Sequence, residues 1–326
     1  MKDRCIRKRR RRSGQDLWRS IMQATAQSQQ PFKILFIAGY ARSGSTLFMQ
    51  LLGELPQWLP LGEGMDYLFN ERCLARDIPC GCGRAVPQCP FWNKAEEQIS
   101  PESRRLFSRY LRVRYAPLWI SPVKGAKFRQ LERQLGGDIR RLFQRIAGNS
   151  GARVIVDASK HPLYPYFLAR HGGAEVYVLH LVRDVRGCVT SYARPKGYLP
   201  RKNLFEVAMG WNLMNLFAEG LRVLGRRRYL RMRCEDFVRD PEGSLRKVVE
   251  FAGETIPPLG FIRGRQAVVG AHHLLAGNPD KFKTGILEIS PKPVLITGWK
   301  MVMAVLLTFP LLLHYKYPFR IKGAAS

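Results

Sequence analysis

Short apolar runs alternate with helical patterns along most of this chain. The run Phe32–Ala38 leads into Gly39-Tyr40-Ala41-Arg42-Ser43-Gly44-Ser45-Thr46, and apolar residues at helical spacing follow over Leu47–Leu55. Arg153–Asp157 and Glu175–Val182 are apolar runs rich in β-branched residues, and each ends in charged residues; both read as buried strands. Tyr229–Met232 reads as a further strand. Between the strands the 3.6-residue period predicts helices over Glu102–Tyr115, Ala126–Ala147, Tyr164–His171, Val185–Tyr192, Leu204–Leu224 and Pro241–Ala252. Ser100 and Pro101 supply a cap and a first-turn proline for the first of these. Residues 56–90 are rich in turn formers and show no regular period.

Strands that alternate with helices predict an α/β fold: a P-loop-type, three-layer arrangement with a mostly parallel central sheet flanked by helices. Ligands then gather at the carboxyl ends of the strands. The segments at such ends are Gly39–Thr46, Asp157–Lys160 and Arg183–Ser191. The expected organisation is a basic arm over 1–30 and a main domain over 31–290 with an insertion at 56–147. An apolar helix and tail complete it over 291–326.

The loop Gly39–Thr46 keeps the Gly-x4-Gly spacing of a phosphate-binding loop, whose backbone N–H groups and helix N-terminus face an anion. Ser45 stands where nucleoside-triphosphate kinases carry lysine, and Arg42 is the cation within the loop. Asp157 would fit the magnesium-holding position of a P-loop kinase, which keeps that enzyme as a rival reading. The missing lysine counts against it. A second signal is Leu181–Tyr192. Arg183 emerges at a strand end, and Ser191 lies about two helical turns later. A guanidinium fork and a hydroxyl suit the oxygens of a phosphate.

Charge broadens this picture. The 326 residues carry a formal net charge of +29, and without residues 1–12 the remainder still carries +22. Polyanionic partners follow from such a balance: phosphorylated or sulfated ligands, nucleic acid or anionic lipid. A non-enzymatic rival is therefore a nucleic-acid- or membrane-binding protein on a degenerate P-loop scaffold. No helix-turn-helix or aromatic-interleaved RNA motif supports specific nucleic-acid binding. The basic segment Arg7–Arg12 is not followed by the apolar stretch of a signal peptide. The apolar stretch Met301–Leu313 falls short of the about 20 residues of a spanning helix and reads as buried or interfacial. The expected setting is cytoplasmic with scope for membrane association. Cys73, Cys80, Cys82 and Cys89 cluster within 17 residues. Zinc is one reading, but the paired Cys-x2-Cys knuckle is absent. Buried thiols or one local disulfide are the favoured alternatives, and no residue is assigned to a metal. Cys5, Cys188 and Cys234 read as incidental.

Taken together, the two signals resemble the sulfotransferases that use 3′-phosphoadenosine-5′-phosphosulfate, in particular their carbohydrate-type and bacterial members. Further parts of the chain are similar to a bacterial subgroup of them. These are Gly62-Glu63, Cys80-Gly81-Cys82-Gly83 with Cys89-Pro90-Phe91-Trp92, Asp157-Ala158-Ser159-Lys160, Gly277-Asn278-Pro279-Asp280-Lys281-Phe282, and the tail from Leu307 to Tyr317. The resemblance spans roughly residues 32–318. It implies transfer of a sulfuryl group to an acceptor hydroxyl or amine, with the adenylyl donor as co-substrate and no metal requirement. Arg42 would meet the bridging and sulfuryl oxygens. Ser43, Gly44, Ser45 and Thr46 would hold the 5′-phosphate, and Arg183 with Ser191 the 3′-phosphate. Asn278 and Lys281 would close over the donor.

Sulfuryl transfer to a hydroxyl calls for a general base. Glu63 is the first candidate, His161 the second, and His272 or His273 the third; Lys160 would contact a ligand or neutralise Asp157. The acceptor class that fits the charge is an anionic sugar or lipid. Ala158, His161, Lys281 and Lys283 depart from the subgroup's usual residues. The two lysines keep charge but lose the bidentate fork of arginine.

Overall fold

The computed structural model describes residues 32–64, 69, 79–93, 99–110, 125–161, 163–194 and 201–319. The basic arm, Cys5, Cys73 and the stretch 111–115 lie outside them. The elements in chain order are β1 (Lys33–Ala38), α1 (Ser45–Gly53), β2 (Trp58–Gly62), α2 (Pro101–Tyr110), α3 (Ala126–Ser150), β3 (Val154–Asp157), α4 (Tyr164–His171), β4 (Glu175–Val182), α5 (Val185–Ala193), α6 (Leu204–Gly220), β5 (Tyr229–Arg233), α7 (Cys234–Arg239), α8 (Pro241–Phe251), β6 (Ile262–Arg263), β7 (Gln266–Val269), β8 (Gly285–Glu288) and α9 (Gly298–His314).

Five strands form a parallel sheet in the order β2-β3-β1-β4-β5. Strand β1 is central because both of its faces are apolar. Ile34 and Phe36 pack into the layer of α3 and α4, while Leu35 and Ile37 pack into the layer of α1 and α8. Each buried Leu or Ile there is worth about 1.5–3 kcal/mol of transfer energy. Helices on both faces are what a parallel sheet requires. The antiparallel sheet β6-β7-β8 joins the α1 side through Ala267 and Val269.

The predicted strands and helices form close to their expected bounds. Ser100 does cap α2: its Oγ accepts from the Ser103 N–H at 3.2 Å and donates to Asp138 at 2.8 Å. The stretch predicted as irregular contains β2, which lies at an edge of the sheet itself. Pro60 breaks the apolar alternation, and an edge strand tolerates it. Leucine-rich Leu221–Leu224 is a 3₁₀ turn rather than the end of α6.

Helix α9 lies against α6, and its 17 residues include Pro310. Among the described residues no helix is long and apolar enough to cross a membrane. Beyond α9 the tail returns to the strand ends. Arg186, fully buried, pairs with Asp184 and donates to the carbonyls of Pro318 and Phe319. Tyr317 donates to Glu235 at 2.7 Å. The tail is thus stapled to the edge of the sheet where ligands gather.

Candidate active site

Parallel strands deliver their carboxyl ends to one edge, and every predicted site segment arrives there. The loop after β1 turns through Gly44, whose φ of +87° opens α1. That left-handed conformation costs a non-glycine residue, and a Cβ would lie 2.9 Å from Cys234 Sγ. No side chain caps α1, so its first N–H groups are left facing the loop's concavity. Ser43 is turned away from it: its hydroxyl donates to the Tyr40 carbonyl at 2.6 Å and fixes the loop from within. Ser45 is buried and Thr46 half-buried at the helix start.

Arg42 carries the strain of the loop, with φ +71° in the left-handed region. Its Nη2 donates to the Ser191 carbonyl at 3.2 Å, and its guanidinium lies 5.2 Å from the centre of the Tyr192 ring. Nε and Nη1 are buried and have no hydrogen-bond partner among the described residues. Arg183 donates from Nη1 to the Arg42 carbonyl at 2.9 Å. Two guanidinium groups and Ser191 therefore converge on the phosphate loop. Burial pulls the Arg42 pKa below its ordinary value, and the charge of Arg183 acts in the same direction; Tyr192 and Asp280 oppose them. Buried N–H donors without acceptors, next to a second cation, describe a site built for an anion.

Arg183 reaches this position because α5 presents no side chain at Gly187. A Cβ there would meet Arg183 Nε at 2.9 Å. Asp184 accepts from the Arg186 N–H at 2.9 Å and so caps α5 just behind Arg183. This close approach was not visible in the sequence, where Gly187 carried no assignment.

Glu63 follows β2 and is half-buried. Its N–H donates to the Leu275 carbonyl at 2.9 Å, while Leu275 donates to Leu61. This ladder fastens the segment 273–277 alongside β2. Glu63 lies within electrostatic reach of Lys160, Lys281 and Tyr192. Tyr192 in turn packs on Arg42, so one ring lies within reach of both the carboxylate and the loop arginine. Lys160 donates to the Ile37 carbonyl at the end of β1 at 3.4 Å. Burial lowers its pKa, and Glu63 and Asp157 pull it back up. Asp157 accepts from the Ser159 N–H at 2.6 Å, which shapes the turn that presents Lys160.

The histidines separate. His161 stays at the strand edge, its ring 5.5 Å from that of Phe107. His272 is paired with Glu54 at 2.8 Å behind α1. His273 points into the cysteine cluster, with Nδ1 3.2 Å from Cys89 Sγ. The loop 278–283 docks on α1 through Gln50, which donates to the carbonyls of Asp280 and Lys283. Asn278 accepts from the Asp280 N–H and caps that loop's 3₁₀ turn. Lys281 faces inward, only 2% exposed, and donates to the Pro79 carbonyl at 2.7 Å. Burial pushes its ammonium down to about 8 against the opposing pull of Cys80 and Glu63.

The comparisons with known proteins agree with this architecture. A protein-family model described as the sulfotransferase family matches residues 35–258. The chain belongs to the sulfotransferase family. Among solved structures it is similar to the sulfotransferase domain of the Synechococcus PCC 7002 olefin synthase, with 18% identity, a TM-score of 0.52, and coverage of 89% of this chain and 96% of that one. It is also similar to the sulfotransferase domain of the curacin biosynthetic pathway, with 18% identity, a TM-score of 0.51, and coverage of 89% and 99%. At these identities the likeness is one of fold. No curated protein sequence matches. Neither the P-loop kinase nor the purely binding reading finds support in these relatives.

Proposed function

We propose that the protein transfers a sulfuryl group from 3′-phosphoadenosine-5′-phosphosulfate to an acceptor hydroxyl or amine. The observation that carries this reading is the convergence of Arg42 and Arg183 on the phosphate loop, with two Arg42 donors buried and unpartnered among the described residues. These residues fit a bisphosphorylated nucleotide. The α1 N-terminus, with the amides of Gly44, Ser45 and Thr46, would hold the 5′-phosphate, and Arg183 with Ser191 the 3′-phosphate. The bound donor supplies an activated sulfuryl group. Arg42 would stabilise the charge left on the 5′-phosphate oxygen, a task for fixed cations and N–H groups rather than a bridging magnesium ion. Asn278 and Lys281 would act through the loop they brace, since the Asn278 side chain caps its turn and the Lys281 ammonium ties it to the Pro79 carbonyl. Glu63 would take the acceptor's proton, with His161 as the alternative base. Incubation with donor labelled in the sulfuryl group and a panel of anionic sugars, lipids and simple alcohols tests the reading. Label should move to at least one acceptor class, and an active enzyme dependent on ATP and magnesium instead would refute it.

The acceptor class we favour is an anionic sugar or lipid, met at a membrane surface. Trp299, Val302, Leu306, Phe309 and Leu313 form an exposed stripe at helical spacing on α9, beside exposed Phe205, Leu213 and Leu216 of α6. Lys300 and Lys316 flank the stripe and are exposed. An apolar stripe with basic flanks suits the interface of an anionic bilayer. The chain should co-sediment with vesicles containing phosphatidylserine, and the Leu306→Glu, Phe309→Glu double variant should bind about tenfold more weakly. Equal binding by both proteins would refute the contact. Concentration-dependent dimerisation that the double variant abolishes, without vesicle binding, would assign the stripe to a second copy instead.

A further inference from the structure

The sequence left four cysteines without a settled role, and the fold brings a histidine to three of them. Cys80, Cys82 and Cys89 meet His273 across 184 residues of chain, and their four ligand atoms all lie within 4.8 Å of one another. The sulfurs of Cys80 and Cys89 are 3.7 Å apart, and those of Cys82 and Cys89 3.8 Å. His273 Nδ1 stands 3.2 Å from Cys89 Sγ and 3.7 Å from Cys80 Sγ. A disulfide requires about 2.05 Å, so none of these sulfurs is bonded to another. A tetrahedral zinc ion with bonds of about 2.3 Å to sulfur and about 2.0–2.1 Å to nitrogen has edges of about 3.7–3.8 Å between sulfurs. Its edges between sulfur and nitrogen are about 3.5–3.6 Å. The two sulfur separations through Cys89 match the edges of that tetrahedron, and the two nitrogen separations bracket its shorter edge.

We propose that Cys80, Cys82, Cys89 and His273 bind one structural zinc ion. The surroundings are built for it. The Cys80 N–H donates to the Arg84 carbonyl and Gly83 to Cys80, folding the loop into a tight turn beneath the sulfurs. Gly81 donates to Leu274, and the Trp92 indole donates to the His273 carbonyl at 2.7 Å, so the two segments are already latched together. Phe91 stacks on the imidazole, with centroids 5.2 Å apart and planes 10° from parallel, and fixes its orientation. Three thiolates and Zn²⁺ leave one net negative charge; their three protons pass to solvent on binding. Lys281, buried beside Cys80, provides an opposing cation. Four protein ligands leave no open position, which marks a structural rather than a catalytic ion.

The ion would tie the loop 79–93 to the segment 273–277, and that segment forms the ladder with Leu61 and Glu63. Its effect on the reaction is therefore to hold the carboxylate in place.

The test is metal analysis of the purified full-length chain, followed by exchange with cobalt. One equivalent of zinc per chain is expected. Cobalt should give intense tetrahedral ligand-field bands and a thiolate-to-metal charge-transfer band. Cys82→Ser, at a half-exposed ligand, should weaken zinc binding by more than the about 10–100-fold typical of losing an outer-shell partner. Cys188→Ser, at a buried thiol outside the cluster, should keep the full equivalent. A wild-type chain that neither retains zinc nor shows these cobalt bands would overturn the proposal. So would a disulfide among Cys80, Cys82 and Cys89 in the native protein, or unchanged zinc affinity in Cys82→Ser. The wild-type measurements decide the matter even if a variant fails to fold.

Discussion

Replacing Glu63 by Gln is expected to lower turnover about 10²–10⁴-fold while leaving the affinity for 3′-phosphoadenosine-5′-phosphate nearly unchanged. The substitution keeps the size of the side chain and removes its charge and its capacity to accept a proton. Its backbone contacts with Leu275 are independent of the side chain and should persist. Glu63 shares its surroundings with Lys160 and Lys281, so neutralising it leaves two buried cations with less compensation. A stability loss is therefore expected alongside, and a denaturant titration separates it from the kinetic effect. Turnover that survives in Glu63→Gln would move the base to His161, and the double variant would then be the inactive one.

Arg183→Ala should weaken binding of the same nucleotide by about 1.5–3 kcal/mol, or roughly 10–150-fold, the scale of a charged hydrogen bond. Two contributions are expected. The guanidinium is assigned to the 3′-phosphate, and its bond to the Arg42 carbonyl also steadies the loop. Arg183→Lys separates them, because lysine keeps the charge but not the fork. If the 3′-phosphate is the partner, adenosine 5′-phosphate, which lacks it, should lose less affinity in Arg183→Ala than the bisphosphate does. Equal losses for both nucleotides would assign the effect to the loop alone.

The parallel core was legible because its strands are buried on both faces and so read as unbroken apolar runs. Ile34–Ala38 and Val154–Val156 are of this kind, and Val176–Val182 is interrupted only by His180. Strand β2 was not legible. It lies at an edge, contains Pro60 and ends in Gly62, so its composition is that of a turn. Its position nevertheless matters to the site, since it brings Glu63 within reach of Lys160, Lys281 and Tyr192. The two arginines were readable from strand-end position and chemistry, but their contact was not, because it depends on the bare surface of α5 at Gly187. The cysteine cluster shows the same limit more sharply. Its three sulfurs are neighbours in sequence, whereas His273 arrives through the ladder between Leu275 and β2. Spacing rules see local ligands and miss one delivered by tertiary structure.

The measurement that bears most directly on the central claim is calorimetric titration of the full chain with 3′-phosphoadenosine-5′-phosphate in the absence of magnesium, beside ATP with magnesium. The account predicts saturable binding of the bisphosphate near one site per chain, lost or greatly weakened in Arg183→Ala. Binding of ATP only in the presence of magnesium, or no binding of either nucleotide by a folded sample, would contradict it.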